Sequence, residues 1–116
     1  MLAVLRVESH RAHCLVIAED LGTAPQGFSD AIMAAGILSY RVLDFERGPD
    51  GRFKPPAAYP DRALAVLTTH DLPTFAGWWR GLDIDLRQSI GLFDDAAADA
   101  ARAERDLARH RLAEAL

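Results

Sequence analysis

The chain has 116 residues, half of them hydrophobic, with 17 acids against 13 lysines and arginines and a formal charge of −4; at most one domain with one hydrophobic core is expected. The mild acidity argues against a nucleic-acid partner, because no stripe of lysine and arginine is available to neutralise phosphates in series. A single cysteine, Cys14, excludes an internal disulfide and any multi-cysteine metal site; it reads as a buried, inert thiol in a reducing compartment.

No apolar run approaches the ~18 residues of a membrane span, and the start lacks the basic region and cleavage pattern of a secretory signal. A cytoplasmic protein with no membrane partner is the expectation. His10 and His13 have no third ligand at suitable spacing, and solvated or capping roles fit them better than a metal.

From Met1 to about Ala12 the sequence alternates Leu2, Val4 and Leu5 with Arg6, Glu8, His10 and Arg11, as the end of an amphipathic helix does. Cys14–Ala18 reads as a strand that is hydrophobic on both faces, as in a parallel sheet covered by helices. Phe28, Ala31, Ile32 and Ala35 fall at helical spacing over Gln26–Ala35, with Gly36 placed to stop the helix. Leu38–Phe45 is the next strand, so a parallel β-α-β unit is implied.

The Pro- and Gly-rich stretch from Gly48 to Pro56 reads as a loop with turns. A third strand over Ala63–Thr69 leads to His70-Asp71. Pro73 fits the first turn of a helix carrying Phe75, Trp78 and Trp79. A short helix is expected over Leu82–Gly91, and an Ala-rich one over Ala96–Leu116. There early aspartates and later arginines suit the helix dipole and allow pairs such as Asp99 with Arg102.

Two of these strands end in acids. Ile17-Ala18 gives way to Glu19-Asp20-Leu21-Gly22-Thr23, and Val66-Leu67-Thr68-Thr69 gives way to His70-Asp71-Leu72-Pro73-Thr74. In a parallel α/β architecture the strand C-termini open on one face, where catalytic groups collect, so Glu19 and Asp71 would share a cleft. Each acid also has a structural reading: Asp71 as the N-cap of the following helix, and Asp20 as a loop-fixing group bonded to backbone amides. Arg41, inside an apolar strand, needs a partner, which Asp44 or a neighbouring carboxylate could provide. Of the adjacent Trp78 and Trp79, one is expected in the core, and at most one at a ligand groove.

The strings Ile17-Ala18-Glu19-Asp20-Leu21-Gly22-Thr23, Gly36-Ile37-Leu38-Ser39-Tyr40-Arg41-Val42-Leu43 and Thr69-His70-Asp71-Leu72-Pro73-Thr74, the last followed by Gly77-Trp78-Trp79, resemble the amylomaltase (4-alpha-glucanotransferase) family in their order. The Lys54–Pro60 loop shares the likeness, which becomes compositional after about Gly91. The resemblance implies an α/β fold, a partial (β/α)8 TIM barrel of about strands five to seven with their helices. Residues 1–116 would then be a partial catalytic domain incomplete at both ends, needing the remainder of the barrel.

By the same resemblance Glu19 is the general acid/base, Asp71 the transition-state stabiliser, and His70 a ligand of sugar hydroxyls. The family's nucleophile, an aspartate ending the fourth strand, would precede Met1 and be absent from the chain, leaving it inactive alone. Implied partners are α-1,4-glucan and maltooligosaccharide donors, with glucose or maltooligosaccharide acceptors; no cofactor and no metal are implied. Two alternatives stay open: an α-glucan hydrolase of a related barrel family, and a non-catalytic glucan-binding or interaction fragment.

Overall fold

The computed structural model describes residues 1–19 and 21–116. They form two compact units: Met1–Arg41 with Tyr59–Val66, and Val42–Ala58 with Leu67–Leu116.

The first unit is built around a small sheet. Helix α1, Leu2–Ala12, ends at His13, whose left-handed backbone (φ 49°) lets the amide of Cys14 reach Ser9 O at 3.1 Å. Strand β1, Ile17–Ala18, pairs in parallel with β2, Leu38–Val42, with Ile17 opposite Leu38 and Ala18 opposite Ser39. Between them α2, Phe28–Ala34, buries Ile32 and stops where predicted: Gly36, at φ 75°, turns the chain so that the Ile37 amide bonds Ile32 O. The expected β-α-β unit is therefore present. Strand β3, Ala63–Val66, lies on the other side of β2 in the order β1-β2-β3, and the buried Ser39 binds Arg62 O through its amide at 3.1 Å.

All three strands are shorter than their apolar runs. Residues 14–16 lead into β1, so Cys14 is exposed rather than buried: it lies in the connector ahead of the first strand pairing, at Ile17. Leu15 and Ile17 are likewise 79% and 43% exposed. The two-faced hydrophobicity expected of a covered strand is real in sequence, but among the described residues it is only partly covered.

The second unit is helical. Past β2 the chain forms a 3-10 turn, Leu43–Phe45, then an excursion closed by an Arg47–Phe53 bridge and the bonds Gly48 N to Arg52 O and Lys54 N to Glu46 O. The segment read as a plain loop is thus hairpin-like, and its Phe53 is 5% exposed, inserted against Ala108 and Leu112. Burying a phenylalanine is worth ~1.5–3 kcal/mol, which ties this excursion to the last helix.

Helix α3, Phe75–Arg80, starts later than predicted: its N-cap is Thr74, whose hydroxyl accepts from Gly77 N at 3.1 Å. Pro73 therefore precedes the cap instead of lying in the first turn. Gly81, at φ 77°, closes α3 and opens α4, Leu82–Ser89. Helix α5 runs Asp95–Ala115, capped by the Asp94 carboxylate on Ala97 N at 2.8 Å. The pair Asp99–Arg102 forms as expected, at 3.4 Å. No helix among the described residues is long and apolar enough to cross a membrane.

Candidate active site

Glu19 is the first residue after β1 and is exposed. A parallel ladder puts it at the C-terminal end of its strand, the position from which an α/β enzyme presents a reacting group. Asp20, expected to fix this loop, lies outside the described residues. Tyr40 and Arg41 lie within β2 in the same unit, and the Arg41 guanidinium contacts Tyr40 O at 3.5 Å. Asp44, offered by the sequence as a partner for Arg41, belongs to the second unit, where its carboxylate is held by Arg47, whose Nε also donates to Asp44 O at 3.1 Å.

His70 and Asp71 lie in the second unit. Because β3 ends at Val66, they stand on a turn beyond the strand and not directly at its end. The Leu72 amide bonds Thr69 O at 3.2 Å, making Thr69–Leu72 a four-residue turn with His70 and Asp71 at its two central positions. The Asp71 amide donates to Thr69 Oγ1 at 3.3 Å, and Thr68 Oγ1 donates to Pro73 O at 2.7 Å across the base of the turn. The two central side chains are 79% and 80% exposed, with His70 Nε2 3.3 Å from Asp71 Oδ2.

The capping reading of Asp71 is removed by this geometry. Thr74 takes the cap, so the Asp71 carboxylate is not used to start α3. Sequence reasoning singled out both acids but passed over Thr68, which it took only as part of a strand. A threonine three residues before an exposed acid and five before a proline was the available signal.

Beneath the turn, Thr68, Leu72 and Pro73 line a small apolar pocket of about 40 Å³ with Phe53, Phe75 and Trp78. Trp78 is half-buried and stacked on Phe75, with ring centroids 5.9 Å apart, while Trp79 is 40% exposed. One tryptophan therefore belongs to the core, as expected of neighbours on a helix.

The base of this cluster is held by a group the sequence did not single out. Arg105 of α5 makes a fork with both carboxylate oxygens of Asp83, at 2.9 and 2.8 Å, donates to the Trp78 carbonyl, and sets its guanidinium 4.7 Å from the Trp78 ring centre. Hydrogen bonding from Arg105 holds the Asp83 carboxyl below its ordinary value of 3.8. Arg109 repeats the pattern one turn on, donating to Trp79 O at 2.7 Å.

In α/β folds the loops that follow the strands are where reacting groups collect, held by a rigid frame. A sequence model of the 4-alpha-glucanotransferase family matches residues 1–116. The 4-alpha-glucanotransferase of Mycobacterium tuberculosis is 37% identical over 112 residues, covering 90% of this chain and 16% of that protein. That of Haemophilus influenzae is 36% identical over 94 residues, covering 81% and 13%. The crystal structure of amylomaltase from Corynebacterium glutamicum superposes with a TM-score of 0.73 at 36% identity, covering 88% of this chain and 14% of that one.

The chain belongs to the 4-alpha-glucanotransferase family. It spans about one sixth of the length of the curated relatives it matches.

Proposed function

We propose that this segment supplies two carboxylates of a 4-alpha-glucanotransferase, a (β/α)8 enzyme that moves segments of α-1,4-glucan from one maltooligosaccharide to another, or to glucose. The observation that carries the reading is the match of all 116 residues to the family. The positions of Glu19 and Asp71 agree with it: each is exposed on a segment following a strand. In this reading β1, β2 and β3 stand as barrel strands five, six and seven, and residues 1–116 are part of the catalytic domain.

Retaining transfer needs one carboxylate to attack the anomeric carbon and one carboxylic acid, about 5–5.5 Å away, to protonate the leaving oxygen. Glu19 performs the second task. Once the leaving chain departs, Glu19 takes the proton from the incoming glucan hydroxyl, which then displaces the enzyme carboxylate and restores the α-linkage. By family resemblance that nucleophile is an aspartate on a strand preceding β1.

Asp71 accepts from sugar-ring hydroxyls and counters the positive charge of the oxocarbenium-like transition state. His70, 3.3 Å from Asp71, donates to hydroxyls of the same sugar. A cytoplasmic site of action is part of the proposal, since a family member with the single free thiol of Cys14 suits a reducing compartment.

The test is product analysis with the full-length protein, given maltotriose and excess glucose. Longer oligosaccharides, dependent on Glu19, are the expected result. Hydrolysis to shorter sugars alone would assign the protein to glucan hydrolysis instead, and binding of maltooligosaccharide without turnover would assign it a binding role.

A further inference from the structure

The turn that carries Asp71 has a problem of closure at its base. It spans Leu67 to Thr74, between the end of β3 and the cap of α3, and Pro73 has no amide with which to bond back across it. The Pro73 carbonyl precedes the first helical turn and has no place in the α3 ladder, whose first bonds run to the Thr74 carbonyl, as from Trp78 N at 2.8 Å. The donor that meets it is a side chain. Thr68 Oγ1 lies 2.7 Å from Pro73 O, well inside the range of a good O–H···O bond, and only 3.4 Å from the alternative acceptor Thr69 O.

The clasp sits at the wall of the apolar pocket, with Leu72 and Pro73 beside it and Phe75 and Trp78 behind it. Its hydroxyl is half-buried, so losing the bond leaves the Pro73 carbonyl short of a partner in a partly dry setting. Above it, the exposed Asp71 is held within the turn itself: its amide donates to Thr69 Oγ1, Leu72 N closes on Thr69 O, and its carboxylate lies 3.3 Å from His70 Nε2 of the same turn. The carboxylate therefore stands wherever the base of the turn puts it.

We propose that Thr68 is a positioning residue for Asp71: its hydroxyl closes the Leu67–Thr74 turn onto Pro73 and so fixes where the Asp71 carboxylate meets the substrate. This rests on the reading of Asp71 as the transition-state carboxylate. A β-branched threonine suits the role because its stiff χ1 holds the hydroxyl in one direction, while its methyl group adds to the apolar wall.

The test uses the full-length enzyme, with kcat and KM for transfer from a maltooligosaccharide and from a glycosyl fluoride. Thr68→Val keeps the shape and removes the donor. It is expected to lower kcat about 100-fold, the loss typical of a misplacement near 1 Å, with KM nearly unchanged. Thr68→Ser should restore most of the rate, and in an Asp71→Asn background Thr68→Val should cost little more, because both act through one carboxylate.

Should near-UV dichroism show the valine variant to be unfolded, Thr68→Cys, a weak donor of similar size, replaces it with the same expectations. An unchanged kcat in the valine or cysteine variant, with Asp71→Asn crippled, overturns the positioning role and leaves Asp71 in place. The same fold-loss on top of Asp71→Asn also overturns it. Full activity of Asp71→Asn alone overturns the reading beneath it, and the proposal with it.

Discussion

The roles proposed for Glu19 and Asp71 differ, and substitutions can separate them. Glu19→Ala, in the full-length protein, removes the proposed proton donor and should slow transfer from maltooligosaccharides by about 100- to 10,000-fold. A glycosyl fluoride needs no protonation on leaving, so its first step should be spared. Equal losses with both donors would take the acid/base role from Glu19.

For Asp71 the measurement is turnover against folding. Asparagine keeps the shape of aspartate but not its charge, so Asp71→Asn should lose about 1,000-fold in kcat, the scale of a lost electrostatic stabiliser. Its thermal midpoint should stay near that of the parent, because Thr74 and not Asp71 caps α3. A variant that turns over normally would return Asp71 to an ordinary turn residue.

At the scale of elements, α3, α4 and α5 are joined by few but specific side chains. Arg105 and Asp83 have side chains only 14% and 13% exposed, so removing one leaves the other charged and short of partners. Arg105→Ala should loosen α5 by about 3 kcal/mol, read as faster hydrogen exchange at its amides. The Asp83 pKa lies lower in the folded state than in the unfolded chain, so the folded form binds the proton less readily. Its contribution is complete above pH 3.8 and is lost as pH falls through the lower, folded value. Protection of α5 should accordingly weaken on acidification in the parent but not in an Asp83→Asn variant. A parent whose α5 exchange shows no such acid dependence would mean the pair does not secure the helix.

Local pattern made several of these elements legible. Gly36 at the end of α2, the Asp99–Arg102 pair and the long Ala-rich helix all follow from spacings of four residues or fewer, and they are present. The core position of Phe53 was not legible, because a lone aromatic between glycines and prolines has no period to mark its face. The Asp83–Arg105 fork joins positions 22 apart, and only the folding back of α5 creates it. Cys14 failed for a related reason: an apolar run predicts strand character, but where pairing begins depends on the neighbouring strand, and β1 begins at Ile17. The acids of the candidate site stand out in the sequence because they interrupt apolar runs, whereas the Thr68 clasp needs the proline brought to within hydrogen-bonding distance.

For the whole molecule the decisive feature is what stays uncovered. Leu15 is 79% exposed, Val4 63%, Leu67 55% and Ile17 43%, and α1 buries none of its residues. In the order β1-β2-β3 the two outer strands have unpaired edges among the described residues, and exposed edges beside apolar side chains favour pairing with another chain. Helix α5 has 21 residues, a cap and several supporting ion pairs, so it should form regardless. The 116-residue chain expressed alone is therefore expected to show helical far-UV dichroism, a broad thermal transition and association that grows with concentration. On the proposed function, whose attacking carboxylate stands on another strand, a maltotriose ladder should be unchanged by it. A sharp transition in a demonstrated monomer would show that these apolar surfaces need no cover, and new oligosaccharides formed only while Glu19 is intact would show that the chain holds a complete catalytic site.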